Sequence, residues 1–221
     1  MIRSRQQFWT IAGISLLALV GFLAIVISRA ITTLPTGLSP THITDIPVNL
    51  TDDGAPLIGN PQAALTVVEF LDYSCYHCAT SQPTINALLK EHVATGKVQL
   101  EIRILSGLDP VGSATAARAA LCAGEQNAFL TMHLELLALQ LQYGRNAFTL
   151  EHIQSASGRL GLDANALIRC TQNQRSFQTV LNNTANYALA TNIQTMPTFL
   201  LQTNEGVSLI PAGEIDTLLS P

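Results

Sequence analysis

Cys75-Tyr76-His77-Cys78 stands just after the apolar run Leu65–Leu71 and opens a stretch with helical apolar spacing. No other feature constrains the chain as strongly. A Cys-x-x-Cys between a strand and a helix puts its first sulfur at the helix N-terminus. There, unpaired backbone N–H groups and the positive end of the helix dipole favour thiolate over thiol. The short loop lets both sulfurs share one disulfide and exchange it with a partner. Such a pair needs a buried strand leading in and a helix leading out, so the expected class is α/β.

The chain has 221 residues, enough for one domain with additions. Its net charge of −4 comes with no Lys/Arg cluster, which argues against a nucleic-acid partner. The hydrophobic fraction of 48% is raised by the N-terminus. Residues 8–28 carry no charge, and as a helix they would extend about 30 Å, the thickness of a bilayer core. Arg3 and Arg5 precede the segment and Arg29 follows it. The positive-inside rule then predicts a cytoplasmic tail over 1–7, a single transmembrane signal-anchor over 8–28 and an extracytoplasmic remainder. A cleaved signal peptide is the alternative; its apolar core is usually shorter, and Ser28-Arg29-Ala30 is a poor cleavage site. Either reading delivers the domain to an oxidising compartment. Residues 29–57, with four prolines and no apolar period, read as a linker, and the domain is expected over 58–221.

Within that domain, Leu65–Leu71 suits a strand buried on both faces. Ile85, Leu88, Leu89 and Val93 continue a helix to about residue 93, with Pro83 expected to kink it. Val98, Leu100, Ile102 and Ile104 alternate with Gln99, Glu101 and Arg103, the pattern of a strand with one wet face or of an edge strand. A helical block spans about 110–190. Thr198–Gln202 and Val207–Ile210 read as a closing hairpin, with a short helix over Glu214–Leu219.

This order resembles the DsbA-like branch of the thioredoxin superfamily, a thioredoxin core interrupted by a helical domain. Three segments carry the resemblance. Val68–Cys78 looks like the strand entering the family's active site, with an acid six residues before the first cysteine. His77 is the DsbA-type residue at the third active-site position, and Thr195-Met196-Pro197-Thr198-Phe199 resembles the cis-proline loop. Pro83 matches the helix proline of the family. Tyr76 and Met196 depart from the commoner residues, so a reduction potential does not carry over. The expected fold is therefore thioredoxin-like α/β with a helical insertion, preceded by one transmembrane helix.

Cys75 is the expected nucleophile and Cys78 the resolving thiol. His77 is placed to stabilise the Cys75 thiolate by hydrogen bond or charge. A structural disulfide or half of a zinc site is the alternative; zinc needs two more ligands, and Cys122 and Cys170 do not form a second Cys-x-x-Cys. The resemblance implies that Glu69 relays a proton to Cys78, the alternative being a strand-edge carboxylate reaching solvent. It also implies that Pro197 is cis beside Cys75, and that Thr195, Met196 and Tyr76 line a groove for an extended substrate. Asp72 reads as a solvated residue at the strand end. An even cysteine count in an oxidising compartment favours a structural Cys122–Cys170 disulfide, which some DsbA-like relatives carry.

The resulting expectation is a membrane-tethered oxidoreductase that introduces disulfides into secreted or membrane proteins. It implies reoxidation by a quinone-linked membrane partner of the DsbB or vitamin-K-epoxide-reductase kind, no bound cofactor or metal, and a monomer. A reductase or isomerase with the same site, or a non-catalytic peptide-binding module, are the alternatives.

Overall fold

The structure, a computed structural model, describes residues 46–211 together with 214 and 215. The apolar segment 8–28 and most of the expected C-terminal helix lie outside these residues. Among the described residues no helix is long and apolar enough to cross a membrane.

The elements in chain order begin with strands β1 (Val48–Leu50), β2 (Pro56–Ile58) and β3 (Leu65–Asp72). Helices α1 (Tyr76–Thr80) and α2 (Gln82–Leu88) follow, and α2 runs into a π-helical turn over Leu89–Val93. After β4 (Val98–Leu105) come α3 (Gly112–Gly124), α4 (Phe129–Tyr143), α5 (Leu150–Arg159), α6 (Ala164–Gln172) and α7 (Gln178–Ala190). Strands β5 (Thr198–Thr203) and β6 (Gly206–Ile210) complete a six-stranded sheet in the order β1-β2-β4-β3-β5-β6. Only β3 and β4 pair in parallel, which requires a crossover, and α1 and α2 supply it.

β3 lies at the centre of this sheet. Its residues from Val67 onward are buried, and alternate residues serve two apolar layers. Val67 and Leu71 join the main core with Cys78, Ile85, Leu88 and the inserted helices. Val68 and Phe70 face the other way, against Ala188 and Tyr187 of α7. Phe70 and Tyr187 meet edge to face at 5.4 Å. Period two thus gives Glu69 the same face as Val67 and Leu71, toward the helix that carries Cys78.

The structure corrects three readings of the chain. β1 and all but the last residue of β2 fall inside the expected 29–57 linker, and they add two antiparallel strands beside β4. Three-residue strands are too short to show an apolar period, and Pro47 and Pro56 sit next to and at strand ends. Gly54 turns the chain between them with φ of +90°, and a Cβ there would lie 2.8 Å from Val180 Cγ2. Next, Pro83 does not kink one helix. The helix breaks at Ser81, and Pro83 occupies the first turn of α2, where its missing N–H costs nothing.

The third correction concerns β4, which has no wet face. Gln99, Glu101 and Arg103 are all buried, because α7 covers their side of the sheet. Arg103 pairs with Glu101 and, at 2.5 Å, with Asp53, while its guanidinium lies 4.8 Å from the centre of the Tyr187 ring. Asn183 of α7 donates to the Asp53 carbonyl at 3.0 Å. An alternating charged strand can thus be interior when a second segment supplies the counter-charges.

The inserted helices carry their own covalent tie. Cys122 on α3 and Cys170 on α6 form a disulfide with Cα atoms 6.0 Å apart, across 48 residues. In the chain-entropy account a loop of that length contributes about 4 kcal/mol. Replacing both cysteines with Ala is expected to lower the unfolding free energy by about that amount, while Cys75–Cys78 exchange continues. Urea unfolding beside an exchange assay checks both halves.

Candidate active site

β3 delivers the chain to the dithiol, and a tight turn over Asp72–Cys75 begins the helix, with Cys75 N–H donating to the Asp72 carbonyl at 2.9 Å. Cys75 is the N-cap of α1. Its Sγ accepts from the Cys78 N–H at 3.2 Å and lies 3.5 Å from the Met196 carbonyl oxygen. Both cysteines are free thiols; Cys75 is 6% exposed and Cys78 fully enclosed. The Met196–Pro197 bond is cis, and the loop bearing it approaches the nucleophile through its backbone. Thr198 Oγ1 donates to the Thr195 carbonyl at 2.6 Å and fixes the loop's shape.

The two sulfurs are driven apart in acidity. Hydrogen bonding with the Cys78 side chain, the N–H groups of Cys78 and His77 and the His77 charge bring the Cys75 thiol down to about 6, against the opposing effect of burial. Cys78 moves up, because its hydrogen bond favours the Cys75 thiolate and because burial and the nearby Cys75 and Glu69 charges oppose its own ionisation. One thiolate and one thiol is the arrangement that attack through Cys75 and resolution through Cys78 require.

Glu69 is fully buried between Ile102 and Phe199 in the strand register, and neither carboxylate oxygen has a hydrogen-bond partner. Burial raises it to about 8. It does not reach solvent at a strand edge, and its charge acts on Cys78 and on Tyr73. A carboxyl that exchanges its proton near neutral pH suits proton transfer with Cys78.

Around the dithiol, Tyr76 is 61% exposed, and His77 and Thr195 also face solvent. Met196 and Pro197 are half-buried, Met196 packing on the main core. The Tyr76 and His77 rings meet edge-on at 6.0 Å. Among the described residues no group of three His, Cys, Asp or Glu side chains is arranged to hold a metal ion.

Asp72 departs most from its expected role. Its side chain is fully buried rather than solvated. Oδ1 accepts from Ser74 N–H at 2.9 Å and Ser113 Oγ at 2.6 Å; Oδ2 accepts from the N–H groups of Gly107 and Leu108, both at 3.0 Å. Those four donors satisfy the carboxylate without solvent. An Asp two residues before a Ser at a strand end is an Asx-turn signal that could have been read in the sequence. His133 and Gln140, polar residues seven apart on the buried face of α4, were a second unread signal.

A family model described as thioredoxin matches residues 51–211. The chain is 25% identical over 152 residues to a Rickettsia typhi protein described as a protein-disulfide oxidoreductase, covering 68% of this chain and 55% of that one. A 98-residue stretch is 35% identical to part of a Na(+)/H(+) antiporter of Salinispora tropica, covering 44% of this chain and 15% of the antiporter. The chain thus spans about half or less of the length of these curated relatives. Among solved structures, MdbA of Corynebacterium matruchotii, a thiol-disulfide oxidoreductase, superposes with a TM-score of 0.67 at 17% identity, covering 81% of this chain and 95% of that one. DsbA of Chlamydia trachomatis gives 0.60 at 23%, covering 73% and 88%. The fold and the dithiol define a thioredoxin-fold protein with an inserted helical block. The chain belongs to the thioredoxin family.

Proposed function

We propose that this chain is a membrane-anchored, extracytoplasmic oxidase that introduces disulfides into secreted or membrane proteins. The observation that carries the oxidising direction is the stabilised Cys75 thiolate, held by the Cys78 N–H and brought down to about 6. Stabilising the dithiol form makes the corresponding disulfide a stronger oxidant. The uncharged segment 8–28 behind Arg3 and Arg5 supports the anchor and the orientation.

A substrate thiolate attacks Cys75 Sγ in the Cys75–Cys78 disulfide. The S–S bond breaks, Cys78 leaves with the electron pair, and Glu69 gives it a proton. The second substrate thiolate then attacks the substrate sulfur of the mixed disulfide and expels Cys75 as thiolate. The substrate gains one disulfide, and the enzyme keeps two electrons. A quinone-linked membrane reoxidase of the DsbB or vitamin-K-epoxide-reductase kind takes them away. The Met196 backbone, with Tyr76 and Thr195 nearby, receives the substrate as an extended segment. The chain works as a monomer without a bound cofactor.

The test is the redox equilibrium of the folded domain in glutathione buffers. A potential above about −200 mV is expected, and Cys75→Ser should show no equilibrium. A value near about −270 mV, that of thioredoxin, would reverse the direction to reductase. Absence of any exchange would remove the redox reading and leave a peptide-binding module.

A further inference from the structure

Each of the three residues before Cys75 is bonded to the inserted helical domain or the loop that leads into it. Asp72 holds Ser113 on α3 and the N–H groups of Gly107 and Leu108. The Tyr73 hydroxyl and His133 Nδ1 on α4 share a hydrogen bond at 3.0 Å, with both side chains fully buried. The Ser74 carbonyl accepts from Gln140 Nε2 at 3.0 Å. His133 and Gln140 are seven residues apart, so one face of α4 supplies both bonds.

The surroundings of these groups are apolar. Phe129 stacks on the His133 ring at 5.8 Å, and Phe148 meets Tyr73 at 6.4 Å. Burial holds His133 neutral, its pKa lowered to about 3, and its Nε2 has no partner. Leu136 and Leu137 pack the same helix without any such cost. Apolar residues at 133 and 140 would join α4 to β3 at lower desolvation cost, so stability alone does not account for the polar pair. What these bonds add is direction: they fix the backbone of Tyr73 and Ser74, and the next residue is the nucleophile.

We propose that the Tyr73–His133 and Gln140–Ser74 bonds, together with Asp72, position the redox centre. They hold the Asp72–Cys75 turn so that Cys75 Sγ stays beside the Cys78 N–H and the Met196 carbonyl. The inserted helices thereby set the geometry of the thiolate through the backbone that leads into it. This inference rests on the thiol–disulfide exchange reading and names the positioning residues of that site. The ionisable groups around the turn are Asp72 within it, His133 on the Tyr73 hydroxyl, Glu69, whose charge reaches Tyr73, and His77 and Cys78, which act on Cys75 directly.

The test compares Tyr73→Phe, His133→Phe, the double variant, Gln140→Leu and the conservative His133→Gln. The Cys75 titration is followed by thiolate absorbance in the reduced protein, beside the rate of reaction with a small disulfide and the urea midpoint. Tyr73→Phe, His133→Phe and Gln140→Leu should each raise the Cys75 titration midpoint by about half to one pH unit. Exchange below that midpoint should slow about threefold to tenfold. The double variant should shift no further than Tyr73→Phe, because both changes remove one bond. His133→Gln should recover most of the loss. A fall in urea midpoint with an unmoved Cys75 titration would reduce these bonds to structural contacts and overturn the proposal. If Tyr73→Phe does not fold, Gln140→Leu at the far end of α4 carries the same reading. The titration needs no substrate, so a parent protein without exchange would sink the functional reading while the positioning test still reports.

Discussion

A Cys78→Ala chain is expected to accumulate a covalent complex with a disulfide-bearing peptide, and a Cys75→Ser chain to form none. The asymmetry follows from the site. Cys75 carries the stabilised thiolate at the start of α1, whereas Cys78 is fully enclosed with its ionisation opposed by burial and by Cys75. Attack by Cys75 forms the mixed disulfide, and without Cys78 nothing resolves it. Loss of Cys75 should slow exchange by about a thousandfold or more, since removing a nucleophile eliminates the covalent route. The attack rate should also track the thiolate fraction. It should be near its plateau above pH 7 and fall about tenfold per unit once the pH drops below about 6. Non-reducing electrophoresis and stopped-flow rates across pH check both statements. A complex forming equally well through Cys78 would refute the assignment.

The second large effect belongs to Glu69. Its carboxyl moves from an ordinary 4.5 to about 8 because it is buried without a hydrogen-bond partner. Below pH 4.5 it is protonated in both folded and unfolded chains, and the shift contributes nothing. Between 4.5 and 8 the unfolded chain releases its proton while the folded chain keeps it. The folded state therefore loses about 1.4 kcal/mol per pH unit, until both forms are charged above 8. At pH 7 the accumulated loss is about 3 kcal/mol. Glu69→Gln should thus be more stable than the parent near neutrality, with the gain vanishing at pH 4. The same change removes the carboxyl that exchanges a proton with Cys78, and Cys78 must give up its proton to attack the mixed disulfide. Its resolution through Cys78 should slow by about a hundredfold, the low end for general acid–base catalysis. Urea unfolding at several pH values, beside the decay of the mixed disulfide, separates the two effects. A variant that is no more stable at pH 7 would show that Glu69 titrates near its ordinary value.

The dithiol, β3, the helical block and the β5–β6 hairpin were legible because each rests on a local signal. Cys75-Tyr76-His77-Cys78 is four consecutive residues, β3 is a continuous apolar run, and Met196-Pro197 opens a strand. β1 and β2 were unreadable for the opposite reason, since three residues carry no period. Val98–Ile104 misled differently. Its alternation is genuine, but the polar side is closed by α7 and by Asp53, which lies 50 residues earlier. Asp72 was misread likewise, because its four donors include Gly107, Leu108 and Ser113 from the next segment.

The sequence by itself determined the chemistry of the site: which sulfur starts the helix, which acid shares the strand, and which proline precedes β5. Those are properties of neighbours along the chain, where spacing and side-chain type suffice. Only the tertiary structure decided how that chemistry is tuned. Tyr73 meets His133 across 60 residues, Gln140 reaches Ser74 across 66, and Cys75 meets Met196 across 121. Buried polar groups must find partners wherever packing brings them. The identity of those partners, and the dielectric that places Cys75 near 6 and Glu69 near 8, therefore exist only once the chain has closed around them.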